Sequence, residues 1–318
     1  MSPAGLLAAC ALDALIGDPR WVPHPVRFIG MGTVWYEGWI RPLCTGPRSL
    51  RVTGIVLAIG LPSLAASVGW ALIAAGSAIH EWIGWTVELW LAASALAWRD
   101  LVDHVGRVSH ALSNGLLPQA REAVGMIVGR DTEELSEPEI VRATIETIAE
   151  SASDGVIAPL LYLAAGGPPL ALAFKAINTL DSMVGHLDER YREFGWASAR
   201  LDDLVNWIPS RITAWLIVLA AGLAGRSLKS MGKNATVLLR DGHKHRSPNS
   251  GRPEAAMAGA LGIRLGGVNY YDGVPHDHAR LGDGDQSLSP RHIGQARTLM
   301  TVAYGVAIAM TVVGYLWL

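Results

Sequence analysis

Charge is scarce in this sequence. Only 17% of its 318 residues are Asp, Glu, Lys or Arg, against about 25% in a typical soluble domain. The charge present is nearly balanced, with a formal net of −2 and a pI of about 6.5, so nothing draws the chain to nucleic acid. Its two cysteines, Cys10 and Cys44, match no zinc spacing and build no disulfide framework, and both are read as packing residues. His243 and His245 have neither cysteine partners nor zinc-like spacing. A Walker A loop, a GxGxxG turn, an HExxH pair and a GxSxG elbow are all missing, which removes the enzyme classes built on them.

Long uncharged runs take their place. Residues 52–76 hold 25 positions without a charge, and about 20 suffice to span a bilayer. Residues 299–318 form a second run, 212–225 and 156–174 are further candidates, and 84–98 is shorter and carries Glu88. The opening PAGLLAACALDALIG has no basic flank and contains Asp13, so it is expected to be a retained helix and not a signal peptide. These runs predict an all-α fold: a polytopic integral membrane protein with amphipathic helices on the cytoplasmic side. One domain is expected over 1–318, with a polar segment, 227–298, between the last apolar helices.

Basic residues suggest the orientation. Segments 17–51 and 99–155 hold five Lys or Arg each and 227–298 holds ten, whereas 77–83 holds none. The positive-inside bias puts the basic segments in the cytoplasm and the termini outside. Segment 178–208 falls outside or inside according to whether its neighbours cross or turn back. Gly166-Gly167-Pro168-Pro169 is expected to break the first neighbour.

Polar clusters stand at the edges of these runs. Ser136 with Glu139 and Pro138 predicts a helix start. The four-residue spacing then puts Arg142, Glu146 and Glu150 on one face, with a helix end expected at Asp154-Gly155. This face is either solvated or a place for hydrated Mg²⁺; either way its carboxylates are taken as exposed and dispensable for folding. In RDLVDHVGRVSHAL, Leu101, Val105, Val108 and Leu112 form an apolar stripe, Asp100 and His104 share a face, and so do Arg99 and Asp103. "GRD" offers Arg130 and Asp131. Lys175, Asn178 and Ser182, with Asp181 nearby, follow an apolar run and are candidates because ionisable groups at membrane depth tend to be functional. Asp202 and Asn206 lie one turn apart, beside Asp203. The turn HRSPNSG suggests an anion site from Arg246, Ser247, Asn249 and converging backbone N–H groups.

In this order, LDALIGDPRWVPHPVRFIG, RDLVDHVGRV, GRDTEEL, RATIETIAESASDGVIAPLLY, KAINTLDSMVGHLDERYREFG, ARLDDLVNWIPSR and SPNSGRPEAAMAGALGIRLGG resemble the adenosylcobinamide-phosphate synthase family of cobalamin biosynthesis, the CobD/CbiB membrane proteins. The resemblance covers about residues 10 to 273. One departure is Ser151, where the family pattern has Asn.

The resemblance implies amide formation between a propionate carboxylate of adenosylcobyric acid and (R)-1-amino-2-propanol or its O-phosphate, in the inner membrane with a cytoplasmic site. ATP and Mg²⁺ are the implied activators, with acyl phosphate and acyl adenylate both open as the activated species. It implies catalytic roles for Glu146, Glu150, Asp154, Lys175 and Asp181, of which Glu146, Glu150 and Asp181 are the metal candidates. Substrate binding falls to Asp18, His24, Arg27, Arg99, Asp100, Arg130, Asp131, Asn178, Ser182, Asp202, Asp203, Asn206, Arg246, Ser247, Asn249 and Glu254. The lipid bilayer and other late enzymes of the pathway are candidate partners. Two other classes fit the composition: a polytopic transporter, which an internal inverted repeat would favour, and a non-catalytic assembly subunit of the same pathway.

Overall fold

The uncharged runs fold as helices, because backbone in an apolar setting must bond to itself and a helix does so within one segment. The computed structural model describes residues 1–19, 21–186, 188–224, 228–284 and 288–317. In chain order these form α1 (Pro3–Ile16), α2 (Pro25–Ile40), α3 (Pro47–Ile79), α4 (Glu81–Ala93), α5 (Trp98–Ser113), α6 (Leu117–Gly125) and α7 (Glu137–Ser151). There follow α8 (Ala158–Val184), α9 (Trp196–Val205), α10 (Trp207–Leu223), α11 (Leu228–Asp241), α12 (Gly251–Leu261), β1 (Leu265–Tyr271), β2 (Val274–Leu281) and α13 (Pro290–Trp317).

Among the described residues, three helical stretches are long and apolar enough to cross a membrane: Pro47–Ile79, Glu137–Val184 and Pro290–Tyr315. The pair α9 and α10, bent by 48°, is a fourth if it counts as one broken span. The chain is a helical membrane protein. With 33 residues, α3 is about 50 Å long, more than the ~30 Å of a hydrocarbon core. Its exposed Val52, Val56, Ile59, Leu64 and Val68 suit lipid and not water. The runs expected at 212–225 and 299–318 each end on a residue, 225 and 318, outside the described set.

The chain divides into two compact units, each built from separate stretches. The first holds Met1–Arg99, Ala158–Asn206 and Gly314–Leu318; the second holds Asp100–Ile157 and Trp207–Val313. In the first, α3 packs on α8, α4 and α9. A side chain at Gly54 would place its Cβ 1.9 Å from the Phe194 carbonyl oxygen, so glycine is required for this approach. Leu57, Leu180, Val184 and Phe194 fill the core beside it. As the Gly-Gly-Pro-Pro sequence predicts, α8 is broken at Gly166 and at Gly167, whose φ is 67°.

In the second unit α10, α11 and α12 pack together and α7 lies on α12. The expected start of α7 is present: the Glu139 carboxylate accepts from the Ser136 N–H at 2.8 Å and from its hydroxyl at 2.6 Å. The stripe Leu101, Val105, Val108 and Leu112 of α5 is buried.

One sequence expectation is corrected. The helix does not end at Asp154-Gly155: Ala152–Ile157 is a π-helical turn leading into α8. Ala152, Ser153, Val156 and Ile157 are buried there, and buried backbone stays bonded by continuing as helix. Within the polar segment β1 and β2 pair as an antiparallel hairpin.

Candidate active site

In the second unit α7 aligns Arg142, Glu146 and Glu150, as the four-residue spacing requires. Arg142 reaches the hairpin, donating to the Gly266 and Val268 carbonyls and to Asn269 Oδ1. Glu146 pairs with Arg130, whose Nη2 donates to Oε2 at 2.7 Å, while Oε1 accepts from the Gly266 N–H at 2.8 Å. Arg130 also donates to Asn269 Oδ1. The side chains of Arg130 and Glu146 are 6% and 14% exposed. The expectation of an exposed Glu146 is therefore overturned: both its oxygens are bonded in a mostly buried place. Glu150 is exposed as expected, and its Oε1 accepts from the Ser250 hydroxyl at 3.0 Å.

Arg130, Glu146, Glu150, Gly266 and Asn269 line a cavity of about 260 Å³ whose wall also includes His245, Glu254 and His278. Glu254, in the first turn of α12, is 7% exposed. Among the described residues its carboxylate has no hydrogen-bond partner. Burial, then the charges of Glu146 and Glu150, hold it well above the usual carboxylate range, with Arg130 opposing. His278 is pushed below the usual imidazole value by burial and then by His245, with Arg246 and Arg130 adding and Glu146 opposing. The rings of His245 and His278 stack 6.0 Å apart.

The turn before α12 is bonded within itself. The N–H groups of Asn249 and Ser250 donate to Ser247 Oγ, each at 3.2 Å, and the Ser247 N–H donates to His245 Nδ1 at 3.1 Å. Asn249 is buried and its Oδ1 accepts from the Ser210 hydroxyl. The amides expected to converge on an anion thus already have acceptors, and exposed Arg246 is the remaining cationic group of that turn. Asp131 holds the hairpin: its carboxylate accepts from Asp272 N–H and Gly273 N–H at 3.2 and 2.8 Å, and its own N–H donates to the Tyr270 carbonyl. Asp100 pairs with His104 along α5. Asp154 is half-buried in the π turn.

The remaining candidates belong to the first unit. Asp18 meets His24 at 3.0 Å, Arg27 is exposed on α2, and Arg99 donates to the Ala14 carbonyl. Asp202 and Asn206 are 9% and 0% exposed. Asn206 Nδ2 lies 3.0 Å from both Asp202 oxygens, and Asn178 Nδ2 approaches one at 3.4 Å. Ser182 caps back onto the Asn178 carbonyl, Asp203 pairs loosely with Arg200, and Lys175 and Asp181 are half-buried on α8. Asp181 thus belongs to a different unit from Glu146 and Glu150.

Among the described residues no group of three or more His, Cys, Asp or Glu side chains is arranged to hold a metal ion. The donors still suit Mg²⁺ carried in by phosphates, which needs only one or two protein carboxylates beside phosphate and water oxygens. Glu150, with one oxygen bonded only by a serine, can serve. Sequence reasoning missed the hairpin residues Gly266, Asn269, Tyr271 and His278, which share the cavity wall. The signal was Asp272-Gly273 between strand-like residues: Tyr271 faces Val274 across this turn, whose φ values of 50° and 75° are those of a two-residue hairpin loop.

The family model described as CobD/Cbib protein matches residues 6–300. The chain is 49% identical over 308 residues to the cobalamin biosynthesis protein CobD of Geobacter metallireducens, covering 96% of this chain and 94% of that one. It is 42% identical over 320 residues to the protein of the same name in Klebsiella pneumoniae, covering 98% of each. To the cobalamin biosynthesis protein CbiB of Salmonella typhi it is 42% identical over 309 residues, covering 96% of each. No solved structure matches. The chain belongs to the CobD/CbiB family and has a role in cobalamin biosynthesis.

Proposed function

We propose that this protein joins a propionate carboxylate of adenosylcobyric acid to (R)-1-amino-2-propanol or its O-phosphate in an ATP-dependent amide synthesis, giving adenosylcobinamide or its phosphate. One observation carries this: four separated segments, around Arg130, Glu146, Glu254 and His278, line one cavity in a chain of a cobalamin biosynthesis family. A carboxylate is inert to an amine in water until one of its oxygens becomes a leaving group. ATP with Mg²⁺, when bound, supplies that activation. Glu150 would help hold the metal, with Glu146 as the further acidic candidate in the same unit.

The chain's own residues account for the rest. Arg130, fixed by Glu146 and Asn269, presents a held guanidinium able to bond a carboxylate or phosphate in two places. Transition-state charge is best met by such a preorganised group. His278, kept neutral, can accept the proton that the ammonium must lose before its nitrogen attacks. The site is proposed to face the cytoplasm from the inner membrane, following the basic residues of 227–298.

The test is protein purified in detergent, incubated with adenosylcobyric acid, the amino alcohol or its phosphate, and MgATP, and followed by mass spectrometry. An amide product that requires ATP is expected. Recovery of both substrates unchanged under all conditions would remove the ligase reading in favour of transport or assembly.

A further inference from the structure

We propose that Glu254 anchors an ammonium-binding subsite of this cavity, which receives the primary amine of the second substrate; this rests on the amide-forming reading above. Glu254 is held in place by its helix, its backbone N–H donating to the Ser250 carbonyl. Its side chain is more than nine-tenths buried and lines the cavity. Among the described residues its carboxylate has no hydrogen-bond partner. Such a group stays neutral unless something positive pairs with it.

The neighbouring arginines, Arg130 and Arg142, make their hydrogen bonds elsewhere, with only Nε of Arg130 buried and unpartnered. Arg130 is bonded to Glu146 and Asn269, and Arg142 to the hairpin carbonyls and Asn269. His245 shares the wall, and burial disfavours charge on His278. Three glutamates, Glu146, Glu150 and Glu254, thus face a cavity whose arginine is already bonded to one of them. A small cationic ligand would supply the counter-charge that lets this buried carboxyl ionise.

A primary ammonium fits this place better than a bare metal ion. It has three N–H donors to distribute among carboxylate oxygens and sheds its water more readily than Mg²⁺, which keeps several waters in a near-octahedral shell. Glu254 is enclosed, and Glu150, which is exposed, is the better place for a hydrated ion.

The test is calorimetric titration of the full-length protein in detergent, without turnover, with and without MgAMP-PNP. The probes are 1-amino-2-propanol, the uncharged 1,2-propanediol and MgCl2 alone. Wild type should bind the amine and bind the diol at least tenfold more weakly. Glu254→Gln should weaken amine binding roughly 10- to 100-fold, the scale of one hydrogen bond to a charged group. It should leave MgAMP-PNP binding unchanged, which also shows that the variant is folded. Glu254→Asp, which keeps the charge, should recover part of the amine affinity. Amine binding by Glu254→Gln equal to wild type would overturn the subsite. So would diol binding equal to amine binding, or no amine binding to wild type with and without nucleotide. Displacement of the amine by MgCl2, with Glu254→Gln losing Mg²⁺ affinity, would assign the position to a metal instead. Since no step of the titration needs catalysis, amine binding without any amide product would reject the ligase reading alone.

Discussion

Arg130 and Glu146, 16 residues apart in sequence, form a buried ion pair at 2.7 Å, and Glu146 uses its other oxygen to hold the backbone of Gly266. A single carboxylate thereby connects α7, the loop before it and the first strand of the hairpin. The cavity wall depends on that connection.

Glu146→Gln should destabilise the protein. It leaves the Arg130 guanidinium charged, mostly buried and without its counter-charge, a change that costs about 3–5 kcal/mol at buried pairs. The thermal unfolding midpoint in detergent should fall by several degrees. An unchanged midpoint would mean that the pair is more solvated than its 6% and 14% exposures suggest.

Glu150→Gln should behave differently. Glu150 is exposed and receives one bond, from Ser250, so its charge contributes little to stability. Turnover should nevertheless fall roughly 100-fold, as for lost metal contacts, with the larger deficit at limiting Mg²⁺. Normal turnover at limiting Mg²⁺, with a normal unfolding midpoint, would make it a surface residue.

Asp241 predicts an acid-sensitive joint between α11 and the hairpin. Its side chain, 1% exposed, accepts from Arg240, Lys244 and the Gly282 N–H. The Arg240 hydrogen bonds in particular hold its carboxyl far below its ordinary 3.8, against the effect of burial. A depressed carboxyl contributes stability that is present above the unfolded value and lost as pH falls through the folded one. Asp241→Asn should therefore lower the unfolding midpoint at pH 7. Its deficit relative to wild type should shrink as the pH drops below about 4. A deficit independent of pH would point to lost packing and not to lost charge.

Orientation can be read by labelling. On a background without Cys10 and Cys44, a cysteine replacing the exposed His243 should be inaccessible to an impermeant maleimide added outside intact cells and reactive after permeabilisation. Ready labelling from outside would reverse the orientation derived from the basic residues of 227–298.

The class of protein and its membrane helices were legible in the sequence, because spans, caps and helix faces depend on neighbours a few residues away. The capped start of α7, the buried stripe of α5 and the break at Gly166-Gly167 all follow from such local rules. The family, too, was legible in its ordered motifs. Asp154-Gly155 misled because burial of its neighbours kept the chain helical where local propensity favours a stop. Asp272-Gly273 was a local signal left unread.

The roles of individual charges were not legible, because they depend on long-range partners. Glu146 and Glu150 are one turn apart on the same helix, yet one is mostly buried against Arg130 and Gly266 and the other is exposed. Nothing within α7 distinguishes them. The difference comes from a strand 120 residues away in sequence folding against the helix, and a charge takes its energetic character from whether such packing removes its water.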